Sequence, residues 1–216
     1  TIMQLTGIRN TVFLDRYAKR DKITNELIET EIPQLWQRVA VFLASAEETP
    51  ELQEYWGKEF LKELSDFNVV MGGRINAGAD AAQDGNLANC FFFEVDDSRN
   101  SIFQDRLPKV MNILSRGGGI GLRWDKLRPK NTPVKGVGGV SSGSVSFMRA
   151  YNECMKVVQQ GGSRRSAGMS LLSLTHPDID DFIHSKDNGG LEHFNISVIP
   201  SKEFLDSLEN DTNYEL

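Results

Sequence analysis

The sequence predicts an α/β fold whose sheet is largely parallel, with a helical region ahead of it. Three observations carry that expectation. Short apolar, strand-like runs centre near Cys90, Ile120, Leu172 and Ile196. A helical pattern lies between each run and the next, the arrangement that crossover-linked parallel strands require. Residues 1–66 show helix-spaced apolar positions instead, so the chain is expected to divide into a helical region, 1–66, and an α/β region, 67–216. An open sheet and part of a closed barrel both satisfy the pattern.

The opening residues are polar with scattered apolar positions, and Thr11 to Arg20 can form a short helix. Thr30-Glu31-Ile32-Pro33 reads as a helix start with proline in the first turn, and Leu35, Val39 and Phe42 then share one face. Pro50 opens a second helix in which Leu52, Tyr55, Trp56, Phe60 and Leu64 recur three and four apart. Such an aromatic stripe is expected in the core rather than around a cofactor. At Phe67 the character changes. Val69 to Gly78 is punctuated by glycine, which makes a helix costly and predicts a loop or short strand. Gly72 and Gly73 beside Arg74 either bring backbone N–H groups toward an anion or form a plain turn, and the turn is the simpler reading.

In Asn89-Cys90-Phe91-Phe92-Phe93-Glu94-Val95-Asp96-Asp97-Ser98 a single thiol heads an apolar run that ends in acids. The aromatic density predicts a buried strand, with Cys90 inside the protein at its end. A buried cysteine is commonly mere packing, whereas a reactive one needs exposure and a favourable field. The stretch itself leaves both readings open. Ser98 or Ser101 can cap the helix that follows, where Pro108 should kink or restart the chain. Gly117-Gly118-Gly119-Ile120-Gly121 comes after that helix and before a strand, the reverse of the order a dinucleotide-binding fingerprint needs. What is left is a glycine-rich helix exit where a ligand or another backbone can come close.

Trp124 to Gly143 has no periodicity of its own, and its four cations, Lys126, Arg128, Lys130 and Lys135, imply an anion nearby. Val145, Met148, Tyr151, Asn152, Met155 and Val158 give the next helix a face, with Cys154 assigned to packing. Gln160 to Gly168 sets Arg164 and Arg165 between glycines, either as solvated surface or as a moving loop that reads phosphate or carboxylate. His176, Asp178 and His184 lack a convincing metal-ligand spacing, and the acids from Asp178 to Asp181 suit the first turn of a helix. Phe194 to Ile199 alternates as a strand, and Ser201 caps a last helix.

Composition narrows the function classes. A net charge of −6 argues against a nucleic-acid backbone or an anionic membrane as the main partner. Two cysteines, Cys90 and Cys154, are too few for a disulfide-stapled secreted scaffold and fit a reducing cytosol. With no long apolar span or targeting motif in view, the expectation is a soluble, cytoplasmic protein.

Taken together, several motifs occur in an order and spacing that resemble one family. They are Asn89-Cys90-Phe91, Asp97-Ser98, Gly117-Gly118-Gly119-Ile120-Gly121, Leu127-Arg128-Pro129, Gly143 to Met148, Gly161 to Ala167, His176 to Ile183 and His193 to Val198. From about Met71 onward the sequence resembles the large catalytic subunit of ribonucleotide reductase, most closely the adenosylcobalamin-dependent (class II) branch. Some class I catalytic subunits, which draw their radical from a separate metal-containing subunit, look alike over this stretch.

The resemblance implies a helical N-terminal region before a ten-stranded α/β barrel, of which this chain would supply the first half. It implies reduction of a ribonucleotide at the 2′ carbon by a thiyl radical, with a dithiol supplying the reducing equivalents and a thioredoxin- or glutaredoxin-like protein restoring it. Cys90 corresponds to the N-terminal member of that redox pair. Gly73, Asn89, Cys90 and Gly118 correspond to positions that line the substrate. Asp97, Ser98, Arg128 and Lys135 correspond to the site of a dNTP effector, with Asp97 at the sugar and Arg128 near the phosphates. Gln160, Gly161, Gly162, Ser163, Arg164, Arg165, Ser166 and Ala167 correspond to the loop that carries specificity from effector to substrate base. The helices after Ser98 and Ser144 would form a homodimer interface. Met71-Gly72-Gly73-Arg74 stands where many relatives have a Pro-Thr pair, so a threonine contact to the substrate phosphate is missing. The radical-bearing cysteine and the second redox cysteine would lie beyond Leu216. A nucleotide-binding or dimerisation module without chemistry of its own is the alternative.

Overall fold

A computed structural model of the chain describes residues 5–21, 23–80, 86–136, 138–158 and 166–215. It divides into two compact units, Thr1–Asn89 and Cys90–Leu216.

The first unit is helical: α1 (Ile8–Arg16), α2 (Ile32–Ala44), α3 (Pro50–Ser65) and the short α4 (Gly73–Gly78). α2 starts where the sequence places it, with Glu31 and Gln34 forming a reciprocal capping box and Pro33 in the first turn. Thr49 caps α3 by accepting a hydrogen bond from the Leu52 amide. Phe13, Leu35, Val39, Ala40, Leu64 and Ala79 form the buried core. The aromatic stripe on α3 behaves differently from expectation. Leu64 is buried and Phe60 packs against the core, but Leu52, Tyr55 and Trp56 are exposed. Helical spacing marks one face of a helix; it does not say that enough neighbours exist to cover the whole face.

A further expectation is corrected in this unit. Gly73 to Gly78 is a turn and a half of helix rather than a loop or strand. Its glycines weaken it intrinsically, but Asn76 Nδ2 donates back to Met71 O at 3.0 Å and Arg38 takes up the carbonyls of Asn76 and Ala79 at its far end. Tertiary hydrogen bonds thus replace the propensity the sequence lacks. Because α4 packs with α2, the structural division falls between Asn89 and Cys90, past the change of composition at residues 66–67.

The second unit carries a four-stranded, fully parallel sheet: β1 (Cys90–Glu94), β2 (Gly119–Arg123), β3 (Gly168–Ser173) and β4 (Phe194–Ile199), in the spatial order β1-β2-β3-β4. The order never reverses, as a sheet wound in one direction toward a barrel requires and a doubly wound sheet does not permit. The crossovers contain α5 (Leu107–Ser115), α6 (Ser144–Val157) and α7 (Ile179–Ile183), and α8 (Lys202–Glu209) follows β4. Pro108 acts as expected: a wide π-helical turn from Asn100 to Arg106 precedes it, and α5 restarts with the proline in its first turn. Gly117, at φ +77°, ends α5, and the amides of Gly117 and Gly118 close back on the carbonyls of Leu114 and Ile113, both at 2.9 Å.

One face of this sheet is covered by the helices. Val95, Ile120, Leu122, Leu172 and Phe194 lie there with Trp124, Tyr151 and Phe182 in one buried cluster. Alternation puts Cys90, Phe92, Gly121, Arg123, Met169, Leu171, Asn195 and Ser197 on the opposite face. Phe92 is 58% exposed and lies across Gly121, where an added Cβ would meet its ring at 3.4 Å. Among the described residues, no helix is long and apolar enough to cross a membrane.

Candidate functional site

Cys90 opens β1 and is exposed, not interior. The density of phenylalanines suggested a strand buried on both faces, but the run alternates. Phe93 packs against the helix-facing core, while Phe92 is exposed on the opposite face with Cys90. Cys90 pairs in register with Gly119, so the Gly117–Gly119 helix exit ends beside the thiol's strand. Gly118 is buried there. In the first unit, Asn89 is exposed and its amide lies over Gly72, where an added Cβ would stand 3.9 Å from Nδ2. The four residues expected at the substrate therefore fall as two local groups: Asn89 with the Gly72–Gly73 turn, and Cys90 with Gly118. Cys154 is half-buried within α6, in line with a packing role.

At the carboxyl ends of β1 and β2 the acids after the strand meet the cations of the following loop. Arg128 Nε donates to Asp97 Oδ2 at 2.7 Å, with each side chain about one-third exposed. Arg128 Nη1 also reaches Pro133 O at 3.5 Å, at the base of a hairpin closed by a bridge between Pro133 and Val140. Lys135 lies exposed in that hairpin. Ser98 Oγ accepts from the Ser101 amide at 3.0 Å, the capping contact foreseen for it. Lys126 bridges Glu94 at 2.8 Å and Asp96 at 2.9 Å. These hydrogen bonds raise the Lys126 pKa and lower those of both carboxylates. Glu94, Arg123, Asp125 and Lys126 line a cavity of about 140 Å³. Lys126, Arg128 and Lys130 do meet anions, and within the chain those anions are its own carboxylates.

Buried Asp178 holds this region in shape. Its carboxylate accepts from the Lys130 amide at 2.9 Å and from the Ser144 amide and hydroxyl at 2.8 and 3.1 Å. Burial alone would raise its pKa; the three hydrogen bonds outweigh that and hold it below the usual carboxylate value. His176 Nδ1 accepts from the Asp178 amide at 3.0 Å, which assigns the ring proton to Nε2, 2.9 Å from Leu127 O. With both nitrogens engaged, His176 has no lone pair for a metal, and the described residues contain no cluster of three metal-ligating side chains.

The family comparisons follow this geometry. Residues 3–83 match the model of the ribonucleotide reductase all-alpha domain, and residues 88–216 that of the ribonucleotide reductase barrel domain. The chain belongs to the ribonucleotide reductase family. A vitamin B12-dependent ribonucleoside-diphosphate reductase of Thermoplasma acidophilum is 43% identical over 144 residues, which is 66% of this chain and 18% of that protein. Another of that name, from Mycobacterium tuberculosis, is 34% identical across 100% of this chain and 32% of its own length. A ribonucleoside-diphosphate reductase subunit alpha of Chlamydia muridarum is 32% identical over 85% of this chain and 17% of that protein. The chain thus spans a third or less of the reductases it matches.

Of the loop expected to carry specificity, Gln160 to Arg165 lie outside the described residues. Ser166 and Ala167 are described. Ser166 is buried, and its Oγ donates to Met155 O at 2.8 Å. A carbonyl only accepts, so His193 Nδ1 is the donor to Ser166 O at 2.9 Å. His193 N donates in turn to Asn152 Oδ1 at 3.0 Å. Sequence reasoning missed these anchors, along with Glu29 and Arg38 in the helical unit. Each is a polar residue whose partners lie about one to four dozen positions away or, for Glu29, nine and ten, and only Asp178, behind Pro177 in an acid-rich helix start, carried a local signal.

Proposed function

We propose that this chain is the N-terminal part of a ribonucleotide reductase catalytic subunit, which reduces ribonucleotides to deoxyribonucleotides by thiyl-radical chemistry. The observation that carries the reading is Cys90: an exposed thiol on the sheet face that the helices leave open, in register with the glycine exit before β2. Cys90 and a second thiol, placed by the resemblance beyond Leu216, are oxidised to a disulfide, giving up two electrons and two protons. The 2′ hydroxyl leaves as water and the 2′ carbon gains a C–H bond, so the exchange balances. A thioredoxin- or glutaredoxin-like dithiol then reduces the disulfide.

Gly73, Asn89 and Gly118 bring backbone and amide groups to the substrate. Asp97, Ser98, Arg128 and Lys135 hold a dNTP effector. The effector's sugar hydroxyl donates a hydrogen bond to Asp97, and its phosphates compete with Asp97 for the Arg128 fork. The segment from Gln160 to Ala167 passes the effector's identity to the substrate base. A homodimer is favoured by the exposed ring of Phe103 meeting Phe147 edge-on at 6.0 Å, on the two helices expected at the interface.

Adenosylcobalamin is the proposed radical source, since two relatives are named vitamin B12-dependent. A metal-containing partner subunit is the alternative. The cavity of about 140 Å³ lined by Glu94, Arg123, Asp125 and Lys126 is far smaller than a corrinoid, so these residues do not fit the group by themselves. No step is therefore routed through it.

The test uses the full-length enzyme. Cys90→Ser is expected to abolish repeated turnover with a dithiol donor, a loss of at least about three orders of magnitude in kcat. Undiminished multiple turnover by that variant would refute the assignment. Isothermal titration with dNTPs should show weaker binding for both Asp97→Ala and Arg128→Ala.

A further inference from the structure

The helical unit contains an arginine that the proposed chemistry does not use, and all three of its guanidinium nitrogens are hydrogen-bonded. Arg38 rises from α2 with its side chain 6% exposed and forms a two-pronged pair with Glu29, Nε to Oε1 at 2.6 Å and Nη2 to Oε2 at 2.9 Å. Its other partners are backbone carbonyls. Nη2 reaches Tyr17 O at 3.0 Å and Asn76 O at 3.1 Å, and Nη1 donates to Ala79 O. Glu29 is itself fixed, since Oε2 also accepts the Lys19 amide at 2.9 Å.

Those carbonyls belong to the two pieces of chain that bound the Gly72–Gly73 turn. Asn76 and Ala79 are the last turn and the cap of α4, and the Asn76 side chain reaches over its start to Met71 O. Tyr17 closes the other side: a Cβ on Gly73 would stand 3.3 Å from Tyr17 Oη and 3.4 Å from its ring. One guanidinium therefore holds the far end of the glycine segment directly, and its near end through the tyrosine laid against Gly73.

An ion pair this buried is a poor source of stability compared with an apolar pair of the same size, so its value lies in what it fixes. We propose that Arg38 is a positioning residue for the ribonucleotide: through Asn76, Ala79 and Tyr17 it sets the backbone at Gly72–Gly73 against which the substrate rests. The inference rests on the reading above that Gly73 lines the substrate. Arginine is required because a lysine can keep the Glu29 pair but cannot serve three carbonyls from one planar fork.

The experiment is steady-state kinetics of full-length enzyme carrying Arg38→Lys, Gly73→Ala or Cys90→Ser, with dNTP affinity measured alongside. Arg38→Lys is expected to raise KM for the ribonucleotide about tenfold, with kcat within about twofold of wild type and dNTP affinity unchanged. Gly73→Ala, which pushes on Tyr17 from the opposite side, should raise KM in the same way, and it carries the test if the lysine variant does not fold. Wild-type KM in the folded lysine variant, or in the alanine variant if the lysine variant fails, overturns the inference. If that happens while Cys90→Ser is inactive, the positioning role falls alone; if Cys90→Ser turns over repeatedly, the functional reading falls with it.

Discussion

In the helical unit the chain that bounds the glycine turn converges on one buried ion pair, Glu29 with Arg38, whereas in the barrel unit the comparable turns are held by several separate sets of bonds. There, the Gly117–Gly119 exit is closed by its own backbone, and the loop before α6 is tied down by one carboxylate accepting three hydrogen bonds. Strand register does the rest, because parallel pairing at Cys90 and Gly119 fixes both at once. The difference follows from architecture. A sheet supplies repeated backbone bonds to whatever lies at its ends, while short helices joined by loops leave carbonyls that need a side chain to satisfy them. A single charged hub concentrates the cost of failure, and a distributed set dilutes it.

The sharpest way to break this contrast is to remove one partner of the hub. Glu29→Ala leaves a buried guanidinium without its counter-charge, and the expected loss is about 3–5 kcal/mol in urea unfolding. A loss under about 1 kcal/mol would mean that water or a neighbouring group replaces Glu29. Asp178→Ala comes next, at about 2–3 kcal/mol, because the Lys130 and Ser144 amides lose their acceptor. Its pH dependence has a definite sign. The folded-state pKa lies below the unfolded value, so the stabilisation is complete above about pH 4 and is lost as pH falls through the folded value. The Asp178→Ala variant should therefore lose less stability on acidification than the parent does.

Much of the barrel unit was legible in the sequence because its signals are local. Four apolar runs gave four strands, Pro108 gave a restarted helix, and Gly117 gave a helix exit. What escaped was set by distant partners. The glycines of α4 argue against a helix until Arg38 and Asn76 are seen to satisfy its ends. Tyr55 and Trp56 have core spacing but stay exposed. Cys90 read as interior because Phe91, Phe92 and Phe93 look uniformly apolar in one dimension, although successive side chains point to opposite faces. The acids after β1 and the cations of the next loop were legible separately; that Asp97 and Arg128 face each other is a product of the parallel crossover.

A smaller effect is expected at Tyr151, which stacks edge-on against Trp124 at 5.2 Å and donates from its buried hydroxyl to Ile102 O in the wide turn before α5. Burial pushes the phenol's pKa well above its ordinary value, so it stays a donor throughout the working pH range. Tyr151→Phe should cost about 1–2 kcal/mol by chemical denaturation, less than either charged anchor, since it orphans a single carbonyl.

The smallest effect belongs to the surface, and it calibrates the others. His184 is exposed, with Nδ1 2.8 Å from Asp187 and Nε2 3.7 Å from Asp180. The hydrogen bond to Asp187 and the charges of both acids raise its pKa above the ordinary 6.5. A raised histidine pKa stabilises the fold below the unfolded value, and that gain disappears as pH rises through the folded one. Solvent screens this pair, so the unfolding midpoint should barely move between acid and alkaline buffer, and added salt should erase what movement there is. The ring's NMR titration is the more sensitive measurement: its midpoint should lie above 6.5 and fall back toward it in Asp187→Asn. If that substitution shifted stability as much as Glu29→Ala, burial would not be what separates the two kinds of anchor.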